Sequence, residues 1–372
     1  MSLIGQGELR PYLTCRSALG SESSRIMRVR RRLNMPAIKS SIRMANGSRG
    51  TGLGLPGGDM IVIDEEQSRA LLDRAEVAEA VAQAFVALYS GGAELFPVAH
   101  GRGPKEGSSF SMKAGQIAPL GSVGLKVGSY WPSNELKGSA NHRSAVILLD
   151  PETGIIRALV CTSYLNGLRT AAANGLAVRA LARQDAKTLG IIGAGHQARF
   201  EALAVCAERR IEAIRIWSRA AANAERLARE LAGEIGIPVC SAAIDTVCGS
   251  DIVVTVTPSR SPLVQWEWIR PGSHISAMGA DQSGKRELTR PYPRDVRLFA
   301  DYPAQSVLIG EFQGLHPEPL PLGAVLGGSQ PGRLRANDIT VFDSSGLAIQ
   351  DLAVASAVLR RHVESSNASR RR

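Results

Sequence analysis

No two cysteines in this 372-residue chain stand in a C-x-x-C spacing. The five present (Cys15, Cys161, Cys206, Cys240 and Cys248) are scattered and odd in number. That argues against a disulfide framework or a zinc site and makes a reducing compartment, the cytoplasm, the expectation. No apolar run reaches the roughly 18 residues of a membrane helix, so no membrane partner is expected. The N-terminus also lacks the continuous apolar core of a secretory signal. Charged residues make up 21% of the chain against 44% hydrophobic. This balance excludes wholesale disorder and fits a globular chain long enough for two cores.

Acidic residues are scarce where basic ones crowd. Residues 1–58 hold ten basic residues against Glu8 and Glu22, and Arg370 to Arg372 close the chain, while the formal charge of the whole is +10. The body from Asp59 to Ser369 is therefore nearly neutral, and nucleic acid is not an expected partner. The Arg- and Ser-rich, acid-poor composition of residues 1–58 is that of an organelle transit peptide. Gly and Ser clusters between Gly47 and Gly58 interrupt any amphipathic helix, so the segment reads as a basic disordered extension, or as residues upstream of a start near Met60.

Periodicity organises the rest. Ile61-Val62-Ile63 reads as a short strand, and Asp64 or Ser68 as the cap of a helix whose apolar positions run from Leu71 to Leu88. Strands are expected at 109–114, 123–130, 144–149 and 155–161, the last two joined by the turn Asp150-Pro151-Glu152-Thr153-Gly154. An Ala-rich helix follows at 166–182. From Ala186 strands (188–192, 213–217, 239–243, 252–257, 274–278, 298–300) alternate with helices (to Ala207, and 221–231), the pattern of a parallel sheet. Leu315 to Gly332 reads as loop, and a strand at 339–342 and a helix at 348–360 close the chain.

Gly193-Ala194-Gly195-His196-Gln197-Ala198 directly follows a strand and opens a helix, the context that gives G-x-G-x-x-A its meaning as a dinucleotide site. The first glycine permits the tight turn, the second lets a pyrophosphate approach the backbone, and the third position must be small for packing. Helix N-terminal amides then face the phosphates. An NAD site usually has a carboxylate at the end of the second strand, yet no carboxylate occurs between Ile214 and Ala224. The chain there reads Trp217-Ser218-Arg219, and a hydroxyl beside a guanidinium suits a 2′-phosphate. NADP is therefore the expected cofactor, with NAD possible.

Leu168-Arg169-Thr170-Ala171-Ala172, the glycine motif and Gly279-Ala280-Asp281-x-x-Gly284-Lys285-x-Glu287-Leu288, in that order, resemble the ornithine cyclodeaminase/mu-crystallin family. The likeness spans Met60 to Arg361. Phe96-Pro97-Val98, Gly124-Leu125-Lys126-x-Gly128-x-Tyr130-Trp131-Pro132-x-Asn134 and Asn141-His142 are similar to a branch reducing imino acids, which includes iminosuccinate reductase and alanine dehydrogenase-like members. The resemblance implies Lys113, Lys126 and Asp281 as catalytic residues, and Lys126, Arg169, Asn134 and His142 as substrate-binding ones. It implies Thr170, Thr257 and Met278 as cofactor-binding residues, beside Gly193 to Ala198, Ser218 and Arg219. This set is coherent chemically: an imino acid needs cations for its carboxylate and a proton donor near nitrogen.

Departures are informative. The branch commonly has Arg shortly after Phe-Pro-Val, where this chain has Ala99-His100. Cyclodeaminases carry a Glu in the segment Phe110 to Lys113 and a Cys-Pro after the catalytic Asp, where this chain has Gln282-Ser283. The expectation is an α/β fold: a Rossmann doubly wound parallel sheet (186–322) inserted in a second α+β substrate and dimerisation domain (59–185 and 323–372). The activity expected is NAD(P)H-dependent reduction of a small imino acid or cyclic ketimine, by a homodimer. The alternatives are ornithine cyclodeaminase, which releases ammonia without net use of NAD, and a non-catalytic, crystallin-like NADPH-binding protein.

Overall fold

The computed structural model describes residues 53–55 and 58–370; the rest of the basic extension and the last two arginines lie outside the described residues. Eight strands form the first sheet: β1 (Leu53–Leu55), β2 (Gly58–Ile63), β3 (Ala93–Leu95), β4 (Ala99–Arg102), β5 (Ser109–Ile117), β6 (Ser122–Tyr130), β7 (His142–Leu149) and β8 (Ile156–Cys161). They lie in the order β1-β2-β8-β7-β6-β5-β3, with β4 also on β5. All pairs but β2–β8 are antiparallel. β1, paired with β2, falls within the span 1–58 expected as an extension.

The helix expected from Asp64 onward is two helices, α1 (Glu65–Leu71) and α2 (Arg74–Tyr89). Asp64 caps the first. Asp73 starts the second by accepting from Glu76 N at 2.9 Å, while Glu76 accepts from Asp73 N; this reciprocal capping box competes with helix continuation and wins. Ser68 is inside α1 and caps nothing, its hydroxyl donating to Glu65 O. The expected turn joins β7 and β8: Asp150 Oδ1 accepts from Glu152 N, Thr153 N and the Thr153 hydroxyl. From β8 the chain enters α3 (Ser163–Leu181), whose largely buried Ala-rich surface leads toward the second sheet.

That sheet has β9 (Thr188–Ile192), β10 (Ala213–Trp217), β11 (Val239–Ser241), β12 (Ile252–Thr255), β13 (His274–Ala277), β14 (Val296–Ala300), β15 (Leu320–Pro321) and β16 (Ile339–Asp343). All are parallel, in the order β11-β10-β9-β12-β13-β16-β14-β15. Its helices are α4 (His196–Glu208), α5 (Ala221–Ile235), α6 (Ile244–Cys248), α7 (Pro303–Ile309) and α8 (Leu322–Leu326). Every residue of β12, β13 and β16 is buried, as strands covered on both faces must be. This is the doubly wound order of a dinucleotide-binding fold.

One expected boundary moves. β16 lies between β13 and β14, so the parallel sheet extends well past residue 322. The run Ile339 to Phe342 is apolar enough to require cover on both faces, and only the sheet interior supplies it. From β16 the chain passes into α9 (Ala348–Arg370), which packs back against β5, β6 and β7 of the first sheet.

The first sheet has two unlike faces. Toward α9 and α2, Val146, Leu148, Ala158 and Val160 are fully buried or nearly so. On the other face the register lines up Val62, Leu159, Ile147, Leu125 and Ala114 in one row. A second row is Cys161, Ala145, Val127 and Met112. These outer side chains are partly or largely exposed, Met112 at 40%. Among the described residues, no helix is long and apolar enough to cross a membrane.

Candidate active site

The parallel sheet changes winding direction between β9 and β12, and a crevice opens there beyond the carboxyl ends of the strands. Gly193, Ala194 and Gly195 leave β9, Val256 to Ser261 leave β12, and Trp217, Ser218 and Arg219 leave β10; together they line a cleft of about 540 Å³. Gly193 has φ +120°, and a Cβ there would come within 2.6 Å of Val256 O. The turn thus excludes other residues. Gly195 differs, because its backbone is extended (φ −83°) and an added Cβ would meet no protein atom within 4 Å. What its missing side chain leaves open is the cleft itself.

Ala198 is buried with no exposure, so the third motif position packs helix on strand as the spacing requires. His196 stacks edge-on against Phe200. Gln197 turns inward: its amide donates to Gly167 O at 3.0 Å and to Glu201 Oε1 at 2.7 Å, which ties α4 to α3. Arg219 is exposed on the cleft wall next to Ser218, and Arg260, which sequence reasoning did not single out, shares that wall. No carboxylate stands among the described residues that line the cleft. An anionic dinucleotide fits this surface.

Thr257 lines the cleft, but its hydroxyl is engaged. Its N–H and its hydroxyl both donate to Glu287 Oε1 at 2.7 Å, while Glu287 Oε2 accepts from the Thr255 hydroxyl and Gly279 N. Burial pushes the Glu287 carboxyl up, and these four bonds oppose the rise. Met278, expected at the cofactor, packs in the core with 8% exposure. Thr170 donates to Asn166 O one turn back in its own helix.

The expected substrate residues split into two groups. Lys113 on β5 and Lys126 on β6 are direct partners across the strand pair, and Arg169 on α3 reaches the same spot. Lys126 Nζ donates to Asp351 Oδ1 at 2.9 Å, and Arg169 Nε donates to the same oxygen at 3.1 Å. Lys126 and Arg169 also share Asn166 Oδ1, the second at 2.7 Å. Arg169 Nη1 donates to Gln350 Oε1, and Lys113 Nζ to Gly346 O, both at 2.9 Å. Three cations thus face one directly bonded carboxylate. Asp351, Asn166 and Gln350 were missed because an acid and two amides on helices carry no motif of their own. Asp301, also missed, holds the loop that supplies Gly346 O: it accepts from Gly346 N and from the hydroxyls of Ser344 and Ser345.

Burial decides the protonation here. Desolvation pushes Lys126 down to about 7 despite Asp351. Burial, then the charge of Arg169, also lowers Lys113. Desolvation works against the Asp351 anion, but Arg169 and Lys126 outweigh it and hold its carboxyl below the usual range. His142 lies near this group: its Nε2 and Lys126 Cε both border Gly128. Desolvation and the charges of Lys126 and Arg169 push its imidazole down to about 4, so it is neutral at pH 7. Asp281 stands apart, half-exposed and paired with Lys285 Nζ at 2.5 Å, although its charge still reaches Lys113. Asn134 donates to Ala140 O within its own loop.

The sequence of residues 60–366 matches the model of the ornithine cyclodeaminase/mu-crystallin family. Iminosuccinate reductase of Paracoccus denitrificans is 39% identical over 308 residues, covering 81% of this chain and 96% of that protein. Its crystal structure in complex with NAD+ superposes with a TM-score of 0.77, covering 82% of this chain and 97% of the other. The Thermococcus litoralis Δ1-pyrroline-2-carboxylate reductase in complex with NADH and L-proline has a TM-score of 0.76 at 30% identity, covering 82% and 98% of the two chains. The mouse ketimine reductase mu-crystallin is 30% identical over 238 residues, 63% of this chain and 74% of that one.

The open side of Gly195 gives a direct test. In Gly195→Ala the new methyl group meets no protein atom, so thermal stability should hold or rise slightly. NADPH affinity, measured by fluorescence titration, should fall at least about tenfold, the loss expected when a phosphate is kept from one backbone hydrogen bond to a charged group. Unchanged affinity would place the dinucleotide elsewhere.

Proposed function

For a chain that belongs to the ornithine cyclodeaminase/mu-crystallin family and gathers three cations around one carboxylate, we propose the activity of an NAD(P)H-dependent reductase. Its substrate is a small imino acid or cyclic ketimine, and the reverse reaction is amino-acid dehydrogenation. The observation that carries the reading is the positive surplus at Lys113, Lys126 and Arg169, which a substrate carboxylate would neutralise. Gly193, Gly195, Ser218 and Arg219 would hold the cofactor, which when bound supplies hydride to the imine carbon. Lys126, poised near 7, is the group with a proton to give to nitrogen at neutral pH. Lys113 occupies the segment where cyclodeaminases carry a Glu, and this supports reduction over cyclisation.

A screen of 2-oxo acids with ammonia or methylamine, followed by NAD(P)H absorbance, tests the reading. Lys126→Ala and Arg169→Ala should each lose at least roughly thirtyfold in kcat/KM on any substrate found. Truncating one partner of a buried charged contact costs about 2–5 kcal/mol, and 2 kcal/mol is about that factor. Near-normal turnover in both variants would sink the assignment.

The same proposal includes a preference for NADPH. Arg219, exposed beside Ser218 in a cleft wall without carboxylates, can grip a 2′-phosphate for about 1.5–3 kcal/mol, roughly tenfold to a hundredfold in affinity. Dissociation constants for both cofactors should differ by that factor and converge in Arg219→Ala; equal values in the unmodified protein would contradict it.

It also includes a homodimer formed through the outer face of the first sheet, whose apolar rows are exposed enough to need a partner. Sedimentation equilibrium at micromolar concentration should give a dimer, and Ile147→Glu a monomer. A monomeric unmodified protein would refute this. The free Cys161, Cys206, Cys240 and Cys248 suit a reducing compartment, and the cytoplasm is the proposed location.

A further inference from the structure

Lys126 and Arg169 repel one another, yet both are buried and both are anchored by shared acceptors. The bonds that achieve this form a closed ring. Asp351 Oδ1 accepts from Lys126 Nζ and Arg169 Nε, and Asn166 Oδ1 accepts from Lys126 Nζ and Arg169 Nη2. An ammonium has three N–H donors, so the ring fixes two of those on Lys126 and leaves a third whose direction follows from the other two. Arg169 cannot play that part, because a guanidinium does not release protons in proteins.

The groups facing Lys126 come from four elements. They are Lys113 on β5, His142 on β7, Arg169 and Asn166 on α3, and Asp351 with Gln350 on α9. Arg169 is a cation, burial and then the Arg169 charge lower Lys113, and His142 is neutral at pH 7. Asp351 is the carboxylate that opposes them, with a side chain only 1% exposed and, among the described residues, only Lys126 and Arg169 bonded to it as cations. Removing its charge would leave the Lys126 ammonium desolvated among like charges, so the proton would be lost at lower pH.

We propose that Asp351 is the positioning residue of this site: with Asn166 it keeps Lys126 in its ammonium form and turns the third N–H toward the substrate's imine nitrogen. The proposal rests on the imino-acid reductase reading. In the step it describes, the imine carbon takes a hydride and its electron pair from the reduced nicotinamide while Lys126 Nζ gives a proton to nitrogen. The C=N bond becomes a C–N single bond with a new N–H, the nicotinamide is left oxidised, and Lys126 is left as a neutral amine that regains a proton from water.

The experiment compares full-length wild type, Asp351→Asn and Asp351→Glu. Lys126 is titrated by NMR of ε-13C-lysine-labelled protein, its signal identified from Lys126→Arg, and kcat/KM is followed against pH on one substrate so that the substrate's own ionisation cancels. In Asp351→Asn the Lys126 titration should fall by at least about one pH unit, and the alkaline limb of kcat/KM should move with it. NADPH affinity should stay within about twofold, since no ring member lines the cleft. Asp351→Glu, which keeps the charge, should hold the Lys126 titration within about half a unit of wild type. A folded Asp351→Asn that titrates Lys126 at the wild-type position overturns the proposal, as does an unmoved alkaline limb. Should Asp351→Asn not fold, the glutamate variant decides: a Lys126 titration displaced by a unit or more despite the retained charge overturns it. The NMR reading needs no turnover. If Lys126 shifts but wild type reduces no imino acid, the hold of Asp351 on the Lys126 proton stands while the reductase reading and the imine-facing role fall; if turnover is robust and Lys126 is unmoved, the reductase reading stands and the proposal falls.

Discussion

One carboxylate oxygen, Asp351 Oδ1, holds together a strand of the antiparallel sheet and two helices that connect that sheet to the parallel one. Lys126 comes from β6, Arg169 from the helix leading toward β9, and Asp351 from the first turn of the helix that follows β16. Two buried cations this close are tolerable only with an anion between them, and breaking such a pair from one side costs about 3–5 kcal/mol. The chain can cross from one sheet to the other at this place because the crossing supplies the missing charge.

Other contacts reinforce the same junction by different means. Gln197 fastens the helix behind the glycine turn to Gly167, two residues before Arg169. Glu201 receives amide donors from both helices, Gln197 from α4 and Asn174 from α3; burial pushes its carboxyl up to about 7. On the other side Asp301, at the end of β14, grips the Ser344–Gly346 loop whose carbonyl receives Lys113. The dinucleotide cleft and the cation cluster are thus joined through polar side chains whose buried groups would be costly to leave unpaired.

Much of this was legible beforehand, for physical reasons that can be named. Strand Thr188–Ile192 and the turn after it declare themselves because a buried parallel strand is a short apolar run and the glycine turn admits few other residues. The break between α1 and α2 was also written in the sequence, as Asp73 with Glu76 three residues on, but helical periodicity running through both masked it. The place of β16 could not be read: an apolar strand says that it is covered on both faces, not which strands flank it. Lys113, Lys126 and Arg169 came from the family likeness, and the structure brings those three together. Asp351 and Asn166 escaped because their role exists only once three elements converge.

The surplus of buried positive charge has a further consequence, for stability. A second carboxylate among Lys113, Lys126 and Arg169 would relieve their repulsion and leave the folded chain more stable than it is. In the proposed reading it would also fill the place of the substrate carboxylate, so the change that makes this cluster more rigid is the one that would close it to its ligand.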